Sequence, residues 1–259
     1  MKRLKNFLKN RKRSDRVKIM LYLGLAAAIF LVLTAVDFVN LIKCINTPAE
    51  YILSCDTASD ARLNQLMEID GVSAVTPAKK DSLTVKFRTR ETVIEVTCIS
   101  TEYAKTVYGV ERTGEMTTLF ANNVAYKRIL SELAGASSVP DMNNEIIVEV
   151  LDGDRYKACR IVCIHQQNSE DAPFVFRIEA DSVLEVHADS IRVFVPKHDT
   201  EQITVSRIQN QGYMVMNREE ILSFQNRIDR LFLEVKYHLI ITTMCGLWIV
   251  TLRRFASDE

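Results

Sequence analysis

The side chains that could carry chemistry in this chain are few and poorly spaced for it. Cys98, in Val96-Thr97-Cys98, sits at the end of an alternating apolar stretch, where a thiol nucleophile for acyl transfer could be held. Such a thiol needs a neighbouring base to take its proton. The four histidines, His165, His187, His198 and His238, all come later in the chain, scattered and without metal-ligand spacing. No Gly-x4-Gly-Lys-Ser/Thr loop occurs, so any nucleotide energy has to come from another protein. Cys159 and Cys163 fall on one expected strand. Four steps of about 3.3 Å put them about 13 Å apart, beyond the reach of a disulfide. They read as buried small hydrophobes, and a Cys55 to Cys98 bridge stays an open alternative. Glu234 and Lys236 border an apolar run, where snorkelling side chains are the ordinary reading. The residues therefore point to a non-enzyme with no catalytic, metal or cofactor site and no cofactor.

The elements that hold these residues are organised around two apolar helices. Residues 1–18 carry nine bases against the single acid Asp15, and Ile19 to Val36 then runs without a charge. With Phe38, Val39, Leu41 and Ile42 that run reaches the roughly 20 residues of a spanning helix. It is longer than the apolar part of a cleavable signal peptide, so it reads as an uncleaved anchor. Leu4, Phe7 and Leu8 interrupt the bases at helical spacing, which predicts a short helix on the inner leaflet. The basic tail is explained by anionic lipid, with no need for nucleic acid. At the other end, Asn217 with Glu220 three residues on is a capping-box signature for a helix reaching about Arg254. From Tyr237 to Leu252 the charges vanish and apolar residues dominate, and Arg253 and Arg254 close the run. The positive-inside rule then places both termini in the cytoplasm and residues 44–236 outside a cell membrane crossed twice.

Between bilayer and domain, the two helices are expected to form a stalk, residues 36–46 against 221–235. Ile221, Phe224, Ile228, Leu231 and Val235 follow at spacings of 3, 4, 3 and 4, a short a/d seam. Val39, Ile42 and Ile45 supply the facing stripe, ended by Pro48. The candidate coupling residues are thus Ile42, Ile221, Phe224, Ile228, Leu231 and Val235.

The middle of the chain reads as mixed. Expected elements are a strand at 51–54, a helix over 56–67 stopped by Gly71, and a strand at 72–76 ended by Pro77. A hairpin of 83–87 with 92–99 follows, then a helix at 101–108 and a strand at 117–121. Asn122 or Asn123 caps the next helix. From Asn143 the pattern turns to strands: 145–151 and 156–164 about the Asp152-Gly153 turn, 174–178 and 191–195. Pro140 and Pro196 bracket these as a β-rich insert. The chain returns through a helix at 200–210 and a strand at 213–216. The expected fold class is α+β: two transmembrane helices flank an extracytoplasmic α/β domain with an inserted β-rich subdomain, joined by a helical stalk. Its parts are residues 1–18, 19–47, 48–139, 140–197, 198–216, 217–254 and 255–259.

This order of parts resembles the extracytoplasmic unit of MacB-type and FtsX-like ABC transporter permeases. Gly71-Val72-Ser73-Ala74-Val75-Thr76-Pro77 resembles the family's first strand after a helix. Ala121-Asn122-Asn123-Val124-Ala125-Tyr126 is similar to its strand-to-helix step, and Gly212-Tyr213-Met214-Val215 to its return to the stalk. The resemblance implies a permease-like subunit whose outside domain binds or moves a substrate or partner. It also implies a cytoplasmic ABC ATPase and further permease subunits as partners, with a homodimer as another arrangement. Family permeases have four or more spans and a coupling segment after the second, whereas seven residues follow Leu252 here. A truncated relative or one part of a split permease is the expectation. The alternative is a membrane-anchored sensor or scaffold of the same shape, which would need an output domain inside.

Overall fold

A computed structural model describes residues 13–55, 58–111, 114, 116–134, 144–164, 173–197 and 203–257. It divides into two compact units, Met1–Asn46 with Glu220–Glu259, and Thr47–Glu219. The expected helix about Leu4, Phe7 and Leu8 lies outside the described residues, as do His165 and His198.

The first unit is a pair of long helices, α1 (Arg13–Ile45) and α7 (Arg218–Ser257). Val17–Ile45 and Arg218–Arg254, of 29 and 37 residues, are long and apolar enough to cross a membrane. At 1.5 Å per residue these are about 44 and 56 Å long, well beyond a hydrocarbon core of about 30 Å. Each helix thus has turns to spare outside the bilayer. Their surfaces are apolar where water would demand polar groups: Leu21, Tyr22, Leu25 and Ile29 on α1, and Leu239, Ile240, Leu247 and Trp248 on α7, are exposed. Lipid satisfies such a surface.

The second unit is one mixed sheet with helices on it. Its elements are β1 (Ala49–Ser54), α2 (Asp60–Met67), β2 (Ala74–Phe87), β3 (Arg90–Ile99), α3 (Thr101–Tyr108), β4 (Thr117–Asn122), α4 (Asn123–Ala134), β5 (Glu145–Asp152), β6 (Arg155–Ile164), β7 (Val175–Ile178), α5 (Asp181–His187), β8 (Ser190–Val195) and α6 (Ile203–Asn210). The strand order is β1-β8-β2-β3-β7-β4-β6-β5, and β5 also pairs with β2 at Val85–Val150 and Lys86–Glu149. Six strands thereby close into a ring through this short β2–β5 contact. The segment expected as a separate β-rich insert, 140–197, contributes β5 to β8 to this same sheet.

Two apolar cores follow from the alternation of the strands. In one, Ala125, Tyr126, Ile129, Leu130 and Leu133 of α4 pack on Val85, Ile94, Val96, Leu119, Ile146, Val148 and Ile161. In the other, Tyr103 and Ala104 of α3 meet Ile99, Phe120, Phe176 and Phe194. Asn122 caps α4 as its residue type predicts: its side-chain oxygen accepts from Ala125 N at 2.9 Å, and also from Phe174 N at 3.1 Å. The strand expected to stop at Pro77 runs on to Phe87. At Pro77 its ladder partner is β8 alone, pairing with β3 beginning at Lys79, so a residue without an N–H is accommodated on the open side. Lys79, Lys80 and Asp81 hid this continuity from an apolar alternation. The β5–β6 turn has Gly153 at φ +62°, between the paired Asp152 and Arg155, where a side chain would be strained.

Candidate functional site

Three of the seam residues come together. Ile228 is buried against Leu41 and Cys44, with Phe224, Leu231 and Ile45 packed around them. Of the expected α1 stripe Ile45 joins this cluster, but its buried members are Leu41 and Cys44. Ile42 is 43% exposed while Leu41 and Cys44 are 5% and 8% exposed. Ile221 and Val235 are half-buried and lie outside this cluster. Sequence periodicity could not choose between Leu41 and Ile42 because both lie between the polar positions Asn40 and Lys43.

A polar contact joins the same two helices farther along. His238 Nδ1 and Asp37 Oδ2 are 2.9 Å apart, and neither atom has another partner among the described residues. Asp37 is the first charge after the apolar run of α1, and His238 the first ionisable group of the apolar run of α7 apart from Tyr237. The two runs are thus aligned antiparallel. Phe30 lies 5.6 Å from the His238 ring. Sequence reasoning treated His238 as one of four scattered histidines; its pairing with Asp37 was legible once the runs were laid antiparallel.

Within the central unit a buried charge sits at Arg192 of β8, which is 6% exposed. Its Nη1 lies 2.9 Å from Glu50 Oε2, and its guanidinium stacks 4.8 Å from the centre of the Phe174 ring. Glu50 Oε1 also accepts from Tyr103 OH at 2.6 Å and more weakly from Tyr108 OH at 3.5 Å. Burial, and then the Glu50 charge, push both phenols well above the ordinary tyrosine range. The arrangement is structural: the carboxylate compensates the buried cation, while Arg192 Nε is buried without a hydrogen-bond partner among the described residues.

At the junction with α7, Asn217 does something other than its expected capping. Its Oδ1 accepts from Ile52 N at 2.9 Å and its Nδ2 donates to Glu50 O at 2.8 Å. The neighbouring backbone bonds are Met216 N to Ile52 O at 2.7 Å and Ser54 N to Met214 O at 2.9 Å. The expected strand 213–216 is thus reduced to one bridge, Leu53 with Val215, beside β1.

The thiols show no activating surroundings. All six cysteines are free, so the open Cys55 to Cys98 bridge is not formed. Burial raises the Cys98 thiol, only partly offset by the Arg177 guanidinium, and pushes Cys159 up to about 11. A thiolate nucleophile needs the opposite shift. No cluster of three or more metal-ligating side chains occurs among the described residues. A cavity of about 330 Å³ opens between α2, α3 and α5, with Asp60, Glu102, Asp181 and Glu185 in its lining beside Leu63 and Met67.

Comparison with known proteins finds no family model and no curated protein that matches this sequence. Solved structures do resemble it. The extracellular domain of the noncanonic ABC-type transporter YknZ from Gram-positive bacteria is 16% identical, with 65% of this chain and 100% of that chain covered and a TM-score of 0.36. The periplasmic region of MacB from Actinobacillus actinomycetemcomitans is 15% identical, over 70% and 94%, with a TM-score of 0.39. A domain assigned to a permease protein of Porphyromonas gingivalis is 10% identical, over 66% and 84%, at 0.35.

Proposed function

We propose that the chain is a permease-like membrane subunit. Its central unit lies outside the membrane and binds or moves a substrate or partner, and the helix pair couples it to a cytoplasmic ATPase supplied by another protein. The observation that carries this reading is the helix pair itself. Two helices with surplus length beyond a bilayer meet in an apolar cluster of Leu41, Cys44 and Ile228, the packed contact that a mechanical relay requires. The central unit is held by an apolar core, and burial raises rather than lowers its Cys98 thiol. Both termini are proposed to be cytoplasmic, from the basic residues before α1 and at the end of α7. Further permease subunits or a second copy would complete the assembly.

The test is purification of the full chain from its native membranes under mild detergent. A nucleotide-binding ATPase subunit should follow it through two affinity steps and be lost when Phe224 and Ile228 are changed to Ala. Purification without any ATPase would favour a membrane-anchored scaffold or sensor instead.

A further inference from the structure

We infer that Asn217 is the positioning residue through which a movement of α7 reaches the folded core of the central unit, an inference that rests on the coupling reading above. Asn217 immediately precedes the first residue of α7, Arg218. Both ends of its amide engage β1: the oxygen accepts from the Ile52 N–H and the nitrogen donates to the Glu50 carbonyl. An asparagine side chain carries donor and acceptor in one plane, as a peptide group does, so it prolongs the backbone pairing made by Met214 and Met216 with Ser54 and Ile52. Aspartate lacks the donor, serine cannot span both atoms, and alanine offers neither.

What lies behind these bonds gives them their reach. The residue whose carbonyl Asn217 holds is Glu50, and its carboxylate is bound in turn by Arg192 and Tyr103. Arg192 belongs to β8, which pairs with β1 on one side and with β2 on the other. A displacement of Asn217 therefore acts on a strand that is hydrogen-bonded across its full length and ion-paired to its neighbour. Glu50 and Arg192 form a joint that has to move as one piece or break. Without Asn217 the backbone pairing of this segment to β1 is reduced to the short bridge at Leu53 and Val215.

Amide hydrogen exchange of the full chain in phosphatidylethanolamine/phosphatidylglycerol nanodiscs tests this. Asn217→Ala should speed exchange of the Ile52 amide about tenfold, the equivalent of one net hydrogen bond. Asn217→Asp, which keeps the acceptor, should leave Ile52 near the parent rate and guards against a trivial unfolding effect. The decisive comparison adds Ile228→Ala, a change in the helix pair far along the chain from β8. In the parent, Ile228→Ala should raise exchange severalfold at the amides of Arg192, Val193 and Phe194; in the Asn217→Ala protein it should add nothing there. An equal effect of Ile228→Ala in both backgrounds, or an Ile52 amide that stays protected without Asn217, overturns the inference. The ATPase purification reads the coupling partner separately, so its failure leaves the exchange result standing on its own.

Discussion

Arg192 sets the most demanding local balance in the molecule. A guanidinium in the interior is tolerated because Glu50 neutralises it and Phe174 covers its face. Removing the carboxylate leaves the cation without compensation, a change that costs about 3–5 kcal/mol at buried pairs. Glu50→Gln should lower the unfolding free energy of the chain by an amount in that range, less what the 25% exposure of the Glu50 side chain restores through water, as read by denaturant titration. The two phenols add a pH dependence of defined sign. Tyr103 and Tyr108 stay protonated when folded beyond the pH at which an unfolded tyrosine ionises. Their contribution to stability is complete below about pH 10 and is lost as pH rises above that value. Thermal unfolding between pH 8 and pH 11 should show this fall, and Tyr103→Phe should blunt it. None of this network was visible in the sequence, because Glu50, Tyr103 and Arg192 lie far apart in the chain and each has an ordinary surface reading. By contrast, the reading of Cys159 and Cys163 as buried hydrophobes follows from strand spacing alone, and both are buried in the structure.

At the scale of elements, the seam between α1 and α7 decides whether the helices behave as a pair. Ile228 is 4% exposed in its cluster and Phe224 is packed against it. Ile228→Ala should remove packing worth about 2–5 kcal/mol where burial is complete, with a smaller loss at Phe224. A polar change at Glu234, engaged by Arg230 at 3.0 Å on an exposed helix surface, should cost well under 1 kcal/mol. The geometry also fixes which cysteine pairs crosslink. Native Cys44 with Ile228→Cys should form a disulfide in membranes, whereas cysteines at Ile42 and Leu231 should react poorly. The a/d spacing on α7 was readable because charged residues flank it. The stripe on α1 was not, since Val39, Leu41, Ile42 and Ile45 are all apolar and only contact selects among them. In the central unit, the hairpins and the Asn122 cap were legible from alternation and residue type. The short α5 was not, with Leu184 its single buried side chain. Nor was the length of β2, whose middle is charged.

For the whole molecule, local signals located the elements, while the closing of six strands through β2 and β5 depends on long-range pairing that no window of sequence contains. The segregation of charge is a different kind of signal, because it acts over the full length of the chain. Bases before Ile19 and after Leu252, with two uncharged runs inside them, are the ground of the proposed topology, independent of any fold detail. Coupling through the helix pair therefore requires the central unit and the two termini to lie on opposite sides of the membrane. The direct measurement is a pair of side-sensitive reporters on the full chain, one fused after Glu259 and one inserted at the exposed Gly153–Asp154 turn. The account predicts that the fusion after Glu259 is active only in the cytoplasm and the insertion at the turn only outside; a reporter at Glu259 active on the outer face, or one at the turn active in the cytoplasm, would contradict it.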